Sequence, residues 1–164
     1  MAPEVVNPRR RLARFRRFVD NVSATNAMNL GLRKLPEIQI KPADSFDSPT
    51  MRACASSDGK VIIVSDKLMD LPTADTVFAV SHEFRHIYQR KFAPDMLADY
   101  KPRDQFDDAA TYNLQPAEID ANAWGCIVCD SLLHLRPLLE DALGAVVWEA
   151  IQRRMDEIAK ELQG

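Results

Sequence analysis

The sequence predicts an α+β fold, with a small antiparallel or mixed sheet of about three strands packed on a helix and further helices around it. Short runs that alternate apolar and polar residues, or that are rich in β-branched residues, lie between turn residues in the stretch 36–65. Apolar residues spaced by three and four predict helices outside this stretch. At 164 residues, with 46% hydrophobic and 27% charged residues, the chain suits a single domain over 1–164 with its own core.

The first predicted element is a basic helix within residues 1–30, which begins at about residue 9 after a loose start that contains two prolines. Gly31 is expected to end it. Its apolar stripe consists of Leu12, Phe15, Val19 and Val22. The other faces carry Arg9, Arg10, Arg11, Arg14, Arg16 and Arg17. We interpret these arginines as a solvated face, since the net charge of −3 predicts no nucleic-acid partner. A contact with nucleic acid or with an acidic partner is the alternative.

Three strands are expected between residues 36 and 65. Residues 36–42 alternate apolar and polar side chains between two prolines, which indicates a short strand. Residues 51–57 and 60–65 flank Asp58-Gly59, a two-residue turn of the kind that closes hairpins. The β-branched run over 61–64 is the strongest strand signal in the chain.

Three more helices complete the prediction. One begins near Thr73, which is expected to be its N-cap. The acidic segment 93–115 that follows contains several aspartates and three aromatic residues, and we expect a long loop there that serves as a lid or a binding wall. The remaining helices are expected over 117–133, with Pro116 in its first turn, and over 138–162, with an interruption near Gly144.

Residues 82–86 read H-E-x-x-H and lie in the helix that begins near Thr73. Residues four apart share a face of a helix, so His82 and His86 can offer two imidazoles to one metal ion. Glu83 is the candidate catalytic base, because it can take a proton from water at the metal. Zinc with three protein ligands and one open position suits this arrangement. The ordinary alternative is two surface histidines on an amphipathic helix.

The third metal ligand is expected from the helix over 117–133. Glu118 is the first choice, since small residues share its face and allow a close approach to the histidine helix. Asp120 is the alternative ligand, and His134, the only other histidine, lies near the end of that helix. Asn122, one turn after Glu118, is placed to accept a hydrogen bond from a ligand histidine, which metal-bound histidines generally require.

The three cysteines are interpreted as packing residues. Cys126 and Cys129 form a C-x-x-C pattern, which also occurs in redox pairs and half zinc sites, but they fall inside a predicted helix without a second pair. Cys54 falls in a predicted strand. An odd number of cysteines fits a reducing compartment. Since the sequence shows neither a secretory signal nor an apolar run long enough for a membrane, we expect a cytoplasmic protein without a membrane partner.

Three stretches resemble the ImmA/IrrE family of zincin-like metallopeptidases, and the likeness covers about residues 50–133. The stretches are 60–65, 78–86 and 118–124. The last one reads E-I-D-A-N-A-W and is similar to the family's Glu-x-Glu-Ala-Asn-x-Phe-Ala. The resemblance implies a zincin-like minimal metallopeptidase fold with Zn²⁺ as cofactor. It also implies that His82, His86 and Glu118 are the zinc ligands and that Glu83 is the general base.

The resemblance further implies an enzyme: a gluzincin-like, zinc-dependent peptide-bond hydrolase of phage or mobile-element type, expected to cleave a specific intracellular protein such as a transcriptional repressor. We expect an extended protein or peptide substrate to add to the edge of the strand over 61–65. Tyr112 and His134 are candidates for the side chain that steadies the oxyanion, followed by Tyr100 and Arg85.

Two alternatives stay open for the function. One is a catalytically weak or inactive zincin-like protein that contacts DNA or an acidic partner through the arginine-rich helix. The other is a phage or plasmid enzyme that acts on a different amide, such as a cell-wall link. The sequence leaves the substrate and the oligomeric state open.

Overall fold

A computed structural model describes residues 7–137 and 139–163 and shows an α+β protein with a small mixed sheet and mostly helices. The strands are β1 (Glu37–Lys41), β2 (Ala53–Ala55) and β3 (Val61–Ser65). The α-helices are α1 (Pro8–Asn29), α2 (Thr73–Phe92), α3 (Ala109–Asn113), α4 (Pro116–Leu133), α5 (Glu140–Leu143) and α6 (Ala145–Glu161). Most of the expected loose start, and the expected first residue of the last helix, Leu138, lie outside the described residues.

Helix α1 begins and ends where its sequence directs. The side chain of Asn7 accepts a hydrogen bond from the backbone N–H of Arg9 at 2.9 Å, and Pro8 occupies the first turn, where its missing N–H costs nothing. Val19 and Val22 are buried in the core. Gly31 follows the helix with a φ of 63°, a conformation that glycine adopts without steric cost.

The sheet has the order β1–β3–β2, with β1 parallel and β2 antiparallel to the central strand. Ile62 and Val64 of β3 are fully buried, which agrees with the strong β-branched signal. The expectation that β3 offers an edge to a substrate is wrong, because β1 and β2 pair with both of its sides. The edge on the hairpin side of the sheet belongs to β2.

Helix α2 carries residues 82–86 and packs against α1, β2 and α4. Its N-cap is Pro72 rather than Thr73, which is the first helical residue. Helix α4 approaches α2 closely at Gly125, where an added Cβ would lie 2.8 Å from Cδ2 of Phe78. The small residue at this position is therefore what allows the two backbones to come together.

The interruption expected near Gly144 in the last part of the chain is confirmed. Gly144, with a φ of 87°, lies between α5 and α6 and caps both helices. Helix α6 then buries Trp148 and Ile151 in the core. The expected loop over 93–115 contains three short helices, over Pro94–Leu97, Arg103–Gln105 and Ala109–Asn113. Within the described chain, none of the helices has the length and apolarity needed to cross a membrane.

The close approach of α2 and α4 generates a first prediction. Gly125→Ala forces a methyl group against the ring and the carbonyl oxygen of Phe78, the latter at 3.3 Å. We expect the free energy of unfolding to fall by about 1–3 kcal/mol, measured by urea denaturation. Ser131→Ala, on an exposed position of the same helix, is the control and should leave stability within about 0.5 kcal/mol. Equal stability of the two variants would contradict tight packing at this point.

Candidate metal centre

Three side chains from two helices meet at the contact between α2 and α4. The Nε2 atoms of His82 and His86 lie 3.0 Å apart. Glu118, in the first turn of α4, places its carboxylate oxygens 3.3 Å from Nε2 of His82 and 3.4 Å from Nε2 of His86. Tetrahedral zinc with bonds of about 2.0–2.1 Å holds its ligand atoms about 3.3 Å apart. The group is therefore close enough to bind a metal ion.

Hydrogen bonds to Gln89 determine which nitrogen of His86 carries the proton. The amide nitrogen of Gln89 donates to the carbonyl oxygen of Ala117 at 2.9 Å and to the carboxylate of Asp120 at 2.8 Å. Both partners only accept, so the amide oxygen of Gln89 must be the atom 2.8 Å from Nδ1 of His86. Nδ1 consequently donates, and Nε2 of the neutral ring presents a lone pair to the site. The sequence patterns do not predict a role for Gln89. Its position three residues after His86, on the same face of the helix, is the feature that could have indicated one.

Hydrogen bonds through two side-chain amides determine which nitrogen of His82 carries the proton. The carbonyl oxygen of Ala109 accepts from the amide nitrogen of Asn113 at 2.7 Å, so the oxygen of Asn113 faces away from that carbonyl. This oxygen accepts from the nitrogen of Asn122 at 2.9 Å. The oxygen of Asn122 then lies 2.9 Å from Nδ1 of His82. This is the position that its place on α4 predicts, and it leaves the Nε2 lone pair of His82 directed at His86 and Glu118.

The charges of the site favour a bound cation. Glu118 is 1% exposed, and burial alone raises the pKa of its carboxyl, but when His82 and His86 carry a second proton on Nε2, their hydrogen bonds and charge hold that pKa far below its usual range. Burial lowers the pKa of His82, but Glu118 more than offsets this and raises it to about 9. An ionised carboxylate that faces two imidazole lone pairs is stabilised by a positive charge between them. Either a proton or a metal ion can supply that charge.

Glu83 lies beside the cluster and is held by the sheet. Its Oε2 atom accepts a hydrogen bond from the backbone N–H of Ala55, in β2, at 2.8 Å. Glu83 follows His82 in α2, and its charge is one of the contributions that raise the pKa of His82. The side chain of Glu83 is half-buried, and the hydrogen bond from Ala55 ties its carboxylate to β2.

Two tyrosines from the 93–115 segment reach the same carboxylate. The hydroxyl groups of Tyr100 and Tyr112 donate to Oε1 of Glu118 at 2.9 and 2.6 Å and lie 2.7 Å from each other. Burial and the charge of Glu118 raise the pKa of both phenols, so both remain donors. Gln115 closes the base of the segment with two hydrogen bonds to the backbone of Lys101. Tyr112, a predicted oxyanion candidate, is therefore beside the three candidate ligands.

Two other oxyanion candidates are wrong. His134 is exposed at the C-cap of α4, and the rise of the helix places it about 24 Å from Glu118. Arg85 is buried and gives two hydrogen bonds, at 2.7 and 2.9 Å, to Asp120. Asp120 also accepts from Arg154 at 2.8 Å, so this alternative ligand is occupied by two guanidinium groups and takes no part in the metal-binding group.

The cysteines are not part of the metal-binding group. Cys126 and Cys129 are buried and not joined in a disulfide, and burial raises the pKa of each thiol to about 12. Such thiols carry almost no thiolate at neutral pH, as expected of packing residues. Cys54 is half-buried in β2, and burial, followed by the charge of Glu83, raises the pKa of its thiol.

The fold and the site together define an α+β protein with a His–His–Glu group that is spaced to hold a metal ion. Comparisons with models of known protein families, with curated proteins and with solved structures find no match. The chemistry of the site therefore rests on the residues themselves. Two imidazoles and one carboxylate are one of the donor sets by which proteins bind zinc.

The geometry predicts metal binding that depends on all three ligands. We expect the purified protein, after equilibration with zinc, to hold about one ion per chain by elemental analysis. His82→Ala and Glu118→Gln should lose it, because the first removes an imidazole and the second replaces a charged carboxylate with a neutral amide, which is a weak zinc ligand. His134→Ala removes the remaining histidine at a distance and should retain the ion. Retention of zinc by His82→Ala and Glu118→Gln alike would show that the metal is held elsewhere.

Proposed function

We propose that the protein is a zinc-dependent peptide-bond hydrolase of the zincin-like type that the ImmA/IrrE resemblance implies. The observation that carries this proposal is the direction of the imidazole lone pairs. Hydrogen bonds at both Nδ1 atoms leave Nε2 of His82 and of His86 free toward Glu118. A structural cluster of histidines needs no such uniform orientation, whereas a metal centre does.

Each residue of the site has a role in this reaction. His82, His86 and Glu118 would hold zinc, which supplies a Lewis acid for water and for the substrate carbonyl. Glu83 accepts a proton from the attacking water and passes it to the leaving nitrogen. The hydrogen bond from the N–H of Ala55 keeps the Glu83 carboxylate in one orientation. Its half-buried position beside the cluster supports this role.

The free edge of β2 is the proposed substrate-binding strand. The backbone N–H groups of Ser56 and Ser65 donate to the carbonyl oxygens of Val61 and Arg52. Hydrogen-bonded pairs alternate in an antiparallel ladder, so Cys54 and Ile63 form the pair between them, and the backbone groups on either side of Cys54 point away from β3. The outward groups belong to Ala53 and Ala55. An extended peptide that adds to this edge would run past Glu83, which already bonds to Ala55. Binding by edge addition uses hydrogen bonds to the main chain of the substrate, so it suits a protein segment that is extended and unfolded.

The substrate class follows from the resemblance. We propose a specific intracellular protein, such as a transcriptional repressor of a phage or mobile element. The second candidate function is a zincin-like binding protein with little or no catalysis, which the exposed arginines of α1 favour. Turnover of a peptide bond separates the two.

The role of Glu83 predicts a variant that binds metal but does not turn over. Glu83→Gln keeps the size of the side chain and removes the base, so we expect zinc content to stay unchanged and hydrolysis to fall by about 10²–10⁴-fold. Cleavage of denatured candidate proteins is measured by mass spectrometry. Glu149→Gln, an exposed glutamate of α6, is the matched control and should cleave like the wild type. A Glu83→Gln variant with full activity would exclude Glu83 as the base.

The position of Tyr112 predicts an effect on kcat. We propose that its hydroxyl, in the site at 2.6 Å from Glu118, donates to the oxyanion during the reaction. Tyr112→Phe should lower kcat by about 10–10³-fold with little change in KM or zinc content. Tyr88→Phe, on the same helix as the histidines but away from the cluster, should change neither. If Tyr112→Phe loses zinc instead, the hydroxyl supports the ligand rather than the reaction.

A further inference from the structure

Three arginines on the first half of α1 form a stripe, which consists of Arg10, Arg14 and Arg17. Their spacing of four and three places them within about 60° of one another and over about 10 Å of helix. All three are exposed. Among residues 7–137 and 139–163, none of the three forms an ion pair with a carboxylate, whereas two neighbouring arginines of α1 do.

The stripe is unfavourable for the helix itself. The first turn of α1 contains no acidic residue, and Arg9, Arg10 and Arg11 lie at the positive end of the helix dipole. Arg10 and Arg14 are also like charges four residues apart. A helix selected only for stability carries acids at these positions. Exposed residues that are unfavourable for their own helix indicate a function for that surface.

The chemistry of the stripe selects a phosphate-rich partner. Guanidinium groups bind phosphate through paired hydrogen bonds, and the N-terminus of α1 adds its own attraction for anions. Ala13 and Phe18 flank the stripe, but Phe18 packs against the core, while Leu12 and Phe15 belong to the opposite side of the helix. A protein partner needs apolar or aromatic anchors at its interface, but binding to a phosphate backbone needs none.

We propose that the arginine stripe binds the phosphate backbone of nucleic acid without sequence specificity. This binding is separate from the metal centre, which lies toward the other end of α1: Asn26, four turns after Arg10, contacts Ser81, the residue before His82. The net charge of −3 does not oppose it, because α1 carries six arginines and one aspartate while the rest of the chain carries the excess of acid. Local charge, rather than the total, determines contact with phosphates.

The test is binding of a fluorescein-labelled duplex DNA, followed by anisotropy at salt concentrations from about 50 to 200 mM. The wild type is compared with the triple variant Arg10→Gln/Arg14→Gln/Arg17→Gln. We expect the wild type to bind with a steep salt dependence. The triple variant should bind at least about tenfold more weakly at the lowest salt, with a salt slope smaller by about three, one for each lost phosphate contact.

The control removes the same charge elsewhere. Arg33→Gln/Lys34→Gln/Arg153→Gln changes three exposed basic residues outside α1 and should bind DNA within about twofold of the wild type. Far-UV circular dichroism and bound zinc should be the same in both variants, which excludes misfolding. Equal weakening by the two triple variants would overturn the proposal, as would binding of poly-glutamate, but not of DNA, through the stripe. The latter outcome would identify an acidic protein as the partner.

Discussion

Close packing of α2 against α4 is the constraint on which the site depends, because the two histidines lie on one helix and Glu118 on the other. Gly125 permits the approach at one point, where any side chain would meet Phe78. Asp120 secures it at another, since its buried carboxylate binds Arg85 of α2 and Arg154 of α6. Removing one partner of such a buried pair typically costs about 3–5 kcal/mol. The helices are thus held in one relative position, and the spacing of the candidate ligands follows.

The parts of the site that depend on helix geometry alone can be predicted from the sequence. A fixed rotation and rise per residue bring His82 and His86 together whatever the rest of the chain does. The same periodicity places Asn122 one turn from Glu118, where its oxygen faces Nδ1 of His82. The α+β class is readable for a similar reason, since periods of two and of three to four distinguish strands from helices.

The parts that depend on contacts between distant segments are not readable in this way. Residues 36–42 carry a strand pattern, but nothing local shows that β1 runs parallel to β3 and so leaves that strand without an edge. His134 is attractive only because histidine is scarce, and the length of α4 removes it from the site. Arg85 resembles a free cation in the sequence, whereas its partner Asp120 lies on another helix.

The contacts of the 93–115 segment in the structure give it a different role from the one that the sequence predicts. In the sequence it is an acidic loop between two helices, suited to a lid. In the structure, Tyr100 and Tyr112 donate to the carboxylate of Glu118, and Asn113 orients the amide that in turn orients His82. A segment that only covered the site would make no contact with the candidate ligands. This segment holds Glu118 directly and His82 through Asn122, so shortening it would remove groups that orient two of the three candidate ligands. The segment is therefore part of the candidate metal centre, together with α2 and α4.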